Sequence, residues 1–278
     1  MNKKVVFITG CSSGIGYLTA RLFARNGWKV FAGIRDLNGE GANKLANIAK
    51  LEELDLQLVE IDVSSETSVD NALTKFKQEQ FQIDVLINNA GFGYVGPVEV
   101  FSDYEVKNQY ETNVYGVLRV SRHLIPLMRA QKSGTIINIS SIAGLTPFPL
   151  YGLYASSKFA LESLSEAMAF ELNHFGIKVS LVEPGTFETN FSKNLKKSDN
   201  IEAFPEYNRL TENFASRYNK VRPRQDPEKV ARQIWEIANT KKPKMRYVVG
   251  LDAKVYILAK KLLPYPIWFN ILRLIYKW

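Results

Sequence analysis

Short apolar runs alternate with longer amphipathic stretches along most of the chain. The runs at 5–10 (VVFITG), 28–34 (WKVFAGI), 56–62 (LQLVEID), 83–89 (IDVLINN), 135–140 (TIINIS), 177–185 (IKVSLVEPG) and 246–250 (RYVVG) predict seven strands. Apolar positions at helical spacing predict helices over 15–26, 40–52, 66–80, 103–130, 155–174 and 227–239. Strands this apolar, each separated from the next by a helix, belong in a parallel sheet covered on both faces. Right-handed crossovers then give a doubly wound, Rossmann-type α/β fold. Two regions leave the rhythm. Residues 186–225 are polar, aromatic and irregular, and interrupt one continuous sheet, so they read as an insertion. Residues 251–278 are apolar and basic. The expected organisation is one domain over 1–250 and an extension over 251–278.

Composition narrows this picture only a little. A hydrophobic content of 46% excludes a disordered chain and supports a sizeable core. The net charge of +8 favours anionic partners, but most basic residues are scattered, which fits a solvated, mildly basic surface; no nucleic-acid partner is expected. One cysteine, Cys11, excludes an intrachain disulfide framework. With two histidines besides, no metal site is expected. MNKKVVFITG runs directly into a strand without the apolar stretch of a signal peptide. No run reaches the roughly 18 apolar residues of a membrane span. A reducing cytoplasm is the expected compartment.

The first strand leads into Thr9-Gly10-Cys11-Ser12-Ser13-Gly14-Ile15-Gly16. Glycines there permit a tight turn and let backbone approach a pyrophosphate at a helix N-terminus. The predicted ligand contacts are Gly10, Ser12, Ser13, Gly14, Ile15 and Gly16. The end of the second strand chooses the coenzyme. An acidic residue normally takes the ribose 2′-hydroxyl of NAD there, but Ile34 holds that position and Arg35 follows. A guanidinium pairs with the 2′-phosphate of NADP. Asp36, one residue on, is a competing carboxylate. NADP(H) is the expected coenzyme. Asp62 and Val63 at the third strand are placed to edge the adenine. Asn89, Ala90 and Gly91 at the fourth let the coenzyme pass close to the backbone.

Tyr154 and Lys158 stand four residues apart in YASSK, which on a helix puts both on one face. A free tyrosine, with a pKa of about 10, is a poor acid/base at neutral pH. A nearby ammonium and a cationic nicotinamide favour the phenolate, and lowering the pKa by roughly three units corresponds to about 4 kcal/mol. Tyr154 is then a candidate general acid/base. Ser141, thirteen residues earlier at the exit of the fifth strand, is placed to hold the substrate oxygen, with Ser140 as its neighbour. Asn113 falls in mid-helix, where asparagine is unfavourable; a helix-distorting or water-binding role and a plain solvent-facing asparagine both fit.

TGCSSGIG (9–16), NNAG (88–91), the Asn113 segment, the Ser141 segment, YASSK (154–158) and PG (184–185) occur in the order and spacing of the short-chain dehydrogenase/reductase family, which the chain resembles over about residues 3–190. TGCSSGIG, Ile34-Arg35-Asp36 and SKFALES (157–163) look most like its 17β-hydroxysteroid and retinol dehydrogenase-like subgroup. The resemblance implies a catalytic set of Asn113, Ser141, Tyr154 and Lys158, with Asn113 helping to hold a proton-relay water beside Lys158. It implies coenzyme contacts at Pro184, Gly185, Thr186 and Thr189. It also implies a homodimer or homotetramer built on the helices near 103–130 and 152–174.

The same resemblance makes 186–225 a substrate lid, here carrying Phe187, Phe191, Phe204, Tyr207, Phe214 and Tyr218. With Leu145, Phe148, Pro149 and Tyr151 beside the catalytic turn, these suit a hydrophobic ketone or aldehyde or its alcohol. They equally suit packing of the lid itself. Ser141, Phe148, Tyr151 and Tyr154 are the expected substrate contacts; steroid, retinoid, fatty aldehyde and xenobiotic ketone stay open. Pro264 and Pro266 split the tail into two short apolar segments, which fits a peripheral membrane contact, a cover over the cleft or a subunit contact. A 3-oxoacyl-carrier reductase and a non-catalytic NADPH-binding regulator are the competing functions.

Overall fold

The computed structural model describes residues 3–78, 82–192, 194–220 and 225–277. Seven strands form one parallel sheet: β1 (Val5–Ile8), β2 (Lys29–Ile34), β3 (Leu56–Glu60), β4 (Val85–Asn88), β6 (Gly134–Ile139), β7 (Ile177–Pro184) and β9 (Arg246–Val249). Two further strands of two residues, β5 (Tyr94–Val95) and β8 (Lys196–Lys197), pair with each other. The main order is β3-β2-β1-β4-β6-β7-β9. Strand order reverses between β1 and β4, which opens a crevice at their carboxyl ends.

The two-residue period of a strand explains why both faces are covered. In β1, Val6 and Ile8 enter one apolar cluster, and Val5 and Phe7 enter the other. The first cluster is closed by α1 (Gly14–Arg25) and α8 (Glu228–Asn239), through Phe23 and Ile234. The second takes Leu73 of α3 (Glu66–Gln78), Leu124 of α5 (Gly116–Gln131) and Met168 of α6 (Gly152–Leu172). Burying one such Phe or Leu side chain is worth roughly 1.5–3 kcal/mol. The remaining sheet helix, α2 (Glu40–Leu51), lies between β2 and β3 in the chain.

Three features depart from the expected elements. The single helix predicted over 103–130 is α4 (Asp103–Tyr110), a π-helical turn (Glu111–Tyr115) and α5. Asn113 sits inside that turn and is fully buried, so it stands where the helix is distorted and does not face solvent. Second, the irregular insertion contains α7 (Asn208–Lys220), a helix of 13 residues. Its apolar positions are few but regular, with Leu210, Phe214 and Tyr218 four residues apart among polar neighbours. The insertion is tied to the start of α4: Ser198 Oγ donates to Glu105 Oε2 (3.2 Å) and the Asp199 N–H to Glu105 Oε1 (3.0 Å). Third, the tail is two helices, α9 (Leu251–Leu262) and α10 (Tyr265–Tyr276), broken at Leu263–Pro264. The end of the helix predicted over 66–80, residues 193 and 221–224 of the lid, and the Tyr218 side chain lie outside what is described.

Candidate active site

A cleft of about 1150 Å³ runs along the carboxyl ends of the strands. Gly10, Ser12, Ser13, Gly14 and Ile15 line one end, with Arg35, Asp62 and Val63 beside them. Asn89, Ala90, Gly91, Pro184, Gly185, Thr186 and Thr189 line the middle, and Ser141, Phe148, Tyr151, Tyr154 and Lys158 the other end. Two predicted residues stand behind this wall. Gly16 does not line the cleft; a Cβ there would lie 2.3 Å from the Gly10 carbonyl oxygen, so glycine is needed for α1 to pack under the loop. Asn113 is also set back.

The loop between β1 and α1 is fastened to the end of β4. Thr9 Oγ1 accepts from the backbone N–H groups of Asn89 and Ala90 (3.0 Å each). Asn89 Nδ2 donates to the carbonyls of Thr9 (2.9 Å) and Gly10 (3.0 Å). The first turn of α1 carries no acidic side chain, so the positive end of its dipole faces the loop unopposed. Arg35 is exposed at the cleft wall and forms no ion pair among the described residues. The Asp36 carboxylate also lines the cleft, but it accepts from the Asn38 N–H (2.9 Å) and so closes the turn before α2, whereas the Arg35 guanidinium is not tied up in an ion pair among the described residues. Sequence reasoning placed the start of α2 correctly but assigned it no part in the cleft. Gly39, Glu40 and Gly41 line the cleft, and a Cβ on Gly41 would lie 1.9 Å from the Ser12 carbonyl oxygen. The pair of glycines after Arg35 was the available signal. A cradle of backbone at a helix N-terminus, with a free guanidinium at its edge, fits a phosphorylated dinucleotide.

Tyr154 lies in the first turn of α6, and Lys158 one turn later. Both are buried. Lys158 Nζ donates to the Ile139 carbonyl (2.9 Å) and stands 5.8 Å from the centre of the Tyr154 ring. Burial pushes the Lys158 ammonium down to about 8. Ser141 caps the short turn after β6, its Oγ accepting from the Ala143 N–H (3.1 Å). The neighbouring Ser140 Oγ is buried and has no hydrogen-bond partner among the described residues. Asn113 Nδ2 donates to the Phe92 carbonyl and to Ser157 Oγ (3.0 Å each), while Oδ1 accepts from the Phe92 N–H (3.2 Å). It therefore clamps the loop after β4 to α6. A second buried chain does the same for the sheet: Asn88 Nδ2 donates to Asn138 Oδ1 (2.8 Å) and Asn138 Nδ2 to Ser165 Oγ (2.8 Å), linking β4 and β6 to α6.

Aromatic rings continue outward from Tyr154. Phe191 lies 5.4 Å from it between ring centres and Tyr151 5.9 Å; Phe214 of α7 is 5.4 Å from Tyr151, and Tyr276 stacks on Phe214 at 6.0 Å. Tyr256 of α9 meets Phe148 at 5.3 Å. Tyr256 and Tyr276 line the cleft, so the tail covers it on its inner side. They were not anticipated; the four-residue spacing of Trp268, Leu272 and Tyr276 marks the inner face of α10.

A doubly wound sheet with a glycine-lined cradle and a buried Tyr–Lys pair in one cleft defines a nicotinamide-dependent oxidoreductase. Residues 4–200 match the family described as "short chain dehydrogenase", and the chain belongs to that family. It is 35% identical over 282 residues to a 3-ketodihydrosphingosine reductase of Bacteroides thetaiotaomicron, covering 99% of each chain. It is 35% identical over 253 residues to retinol dehydrogenase 8 of Homo sapiens, covering 87% of this chain and 80% of that one. Its fold matches the crystal structure of a gluconate 5-dehydrogenase from Burkholderia cenocepacia in complex with NADP and tartrate, with a TM-score of 0.75 at 25% identity over 92% of this chain and 96% of that one. No described helix is long and apolar enough to cross a membrane.

Proposed function

We propose that this enzyme interconverts a hydrophobic ketone or aldehyde and its alcohol, using NADP(H). The observation that carries the reading is the convergence of Ser141, Tyr154 and Lys158 on a cleft whose outer wall is aromatic. When bound in the cleft, the coenzyme would supply hydride to the carbonyl carbon, or take it from the alcohol carbon. Tyr154 gives its phenolic proton to the carbonyl oxygen in reduction and recovers one in oxidation. Ser141 donates a hydrogen bond to the same oxygen and orients it. The Lys158 ammonium stabilises the phenolate and would hold the nicotinamide ribose. Asn113 and Lys158 both face Gly91: a Cβ there would lie 3.2 Å from Asn113 Oδ1 and 3.6 Å from Lys158 Nζ. That shared position supports a relay water between them.

Two relatives whose names contain a lipid ketone and a lipid alcohol support a hydrophobic substrate. The exposed Tyr104, Tyr115, Phe159 and Phe170 lie on α4, the π-turn and α6, and support a homodimer or homotetramer formed there. The reading is tested by NADPH oxidation across a panel of hydrophobic ketones and aldehydes, with NADH in parallel. No turnover with any member would reject it. Arg35→Ala is expected to reduce the preference for NADPH over NADH by about 10–100-fold, the worth of a charge-assisted hydrogen bond to phosphate. An unchanged ratio of kcat/KM values would remove Arg35 from the coenzyme site.

A further inference from the structure

The tail has two faces of different chemistry. Inward, Asp252 Oδ2 accepts from the Thr186 N–H (2.6 Å) and Oδ1 from Gln225 Nε2 (2.7 Å), while Tyr256 and Trp268 pack ring to ring at 5.8 Å. Lys260 also turns inward, to the Leu145 carbonyl. Outward, Leu251, Val255, Leu258 and Leu262 are 76, 65, 57 and 68% exposed. Their spacings of four, three and four residues place them above one another on α9. Tyr265 and Phe269, also exposed and stacked at 6.1 Å, add a second apolar group on α10. A strip of this kind marks an interaction site.

The charges around the strip say what covers it. Lys254, Lys261, Arg273 and Lys277 are exposed, and none forms an ion pair among the described residues. The only carboxylate of residues 251–278 is Asp252, which is spent inward. The outer face is therefore apolar and cationic with no counter-charge of its own. A second copy of the same face would set cation against cation. An acidic lipid surface matches both parts, with acyl carbon for the strip and headgroup phosphate for the cations. Each helix has 12 residues, short of the roughly 20 needed to span a bilayer, so the geometry is one of lying on the surface.

We propose that α9 and α10 dock this protein on an anionic membrane surface through the Leu251–Leu262 strip and its flanking cations. The inner sides of the same helices line the cleft, so a hydrophobic carbonyl would pass from lipid into the aromatic passage toward Tyr154; this second part rests on the function proposed above, and the docking does not. The test is cosedimentation of the full chain with vesicles of equal parts phosphatidylcholine and phosphatidylserine, and with phosphatidylcholine alone. The wild type is expected to sediment with the mixed vesicles and far less with the neutral ones. The double variant Leu258→Glu, Leu262→Glu should bind about tenfold less or weaker still, with an unchanged melting temperature and unchanged turnover of a small water-soluble ketone. A wild type that stays in the supernatant, binds both vesicles alike, or is matched by the double variant overturns the docking. So does a double variant that only shifts the oligomeric state in gel filtration while the wild type ignores vesicles, because the strip would then be a contact between copies. Sedimentation without turnover of any ketone would support the docking and reject the reductase reading.

Discussion

Tyr154→Phe is expected to lower carbonyl reduction by about a thousandfold, or ~4 kcal/mol of transition-state stabilisation. The change removes one oxygen and keeps the ring, so the contacts with Tyr151 and Phe191 at 5.9 and 5.4 Å survive. The Lys158 hydrogen bond to the Ile139 carbonyl does not involve the phenol and should hold the lysine in place. What is lost is the proton that must reach the carbonyl oxygen as hydride reaches the carbon. Coenzyme affinity, measured by fluorescence titration with NADPH, should stay within a few-fold of wild type. Steady-state rates on the best ketone of the panel decide the matter. Turnover within tenfold of wild type would falsify the proton-transfer role of Tyr154. A proportional loss of NADPH affinity and rate would assign the residue to binding.

Much of this arrangement was legible in the sequence for identifiable reasons. The central strands β1, β2, β4, β6 and β7 are buried almost throughout, so each is an apolar run that helical periodicity does not imitate, while the edge strands β3 and β9 are partly exposed and carry polar residues. The residues assigned to the cleft cluster at strand ends, where an open α/β sheet gathers its ligands. What stayed hidden depends on pairs far apart in the chain. Gly41 acquires meaning only because α2 meets the Ser12 carbonyl. Asn113 looked interchangeable with a surface asparagine until Phe92 and Ser157 closed around it. In the tail, apolar and basic residues were visible, but which of them face the cleft depends on how α9 and α10 pack. Tyr256 and Leu258 are two residues apart in sequence, yet one lines the cleft and the other meets solvent. Helix α7 was missed although Leu210, Phe214 and Tyr218 repeat every four residues, because the polar residues between them made the segment read as irregular.

One cluster outside the cleft carries the largest expected effect on stability. Arg246, at the start of β9, meets three carboxylates: Glu162, Glu183 (2.8 Å) and Glu166 (2.6 Å). Glu162 and Glu183 are buried, and one guanidinium cannot neutralise three acids. Burial therefore prevails at Glu183 and raises its carboxyl from the ordinary 4.5 to about 7. Arg246→Leu removes the only cation of the cluster. Leaving a buried charge unpaired costs about 3–5 kcal/mol, which for a chain of this size lowers the melting temperature on the order of 6–10 °C. The direction with pH follows from linkage. A carboxyl whose folded pKa lies above its unfolded value binds its proton more tightly when folded. Its contribution to stability then falls as pH rises from about 4.5, where the unfolded chain starts to release the proton, and levels off above the folded value. In wild type, Glu183 gives that decline between about 4.5 and 7. In the variant, Glu183 loses its neighbouring guanidinium and is held higher still, so the decline is deeper and extends further up in pH. The gap in melting temperature between wild type and Arg246→Leu should thus be small near pH 5 and widest near pH 8. Adding Glu183→Gln to Arg246→Leu removes one of the stranded acids and should recover part of the loss at the higher pH. A gap that is the same at both pH values would mean that the guanidinium acts by packing alone. Glu162 Cγ would lie 3.1 Å from a Cβ on Gly144, in the turn that Ser141 caps. A relaxing cluster should therefore also be felt at the substrate end of the cleft, as a rise in KM at the higher pH.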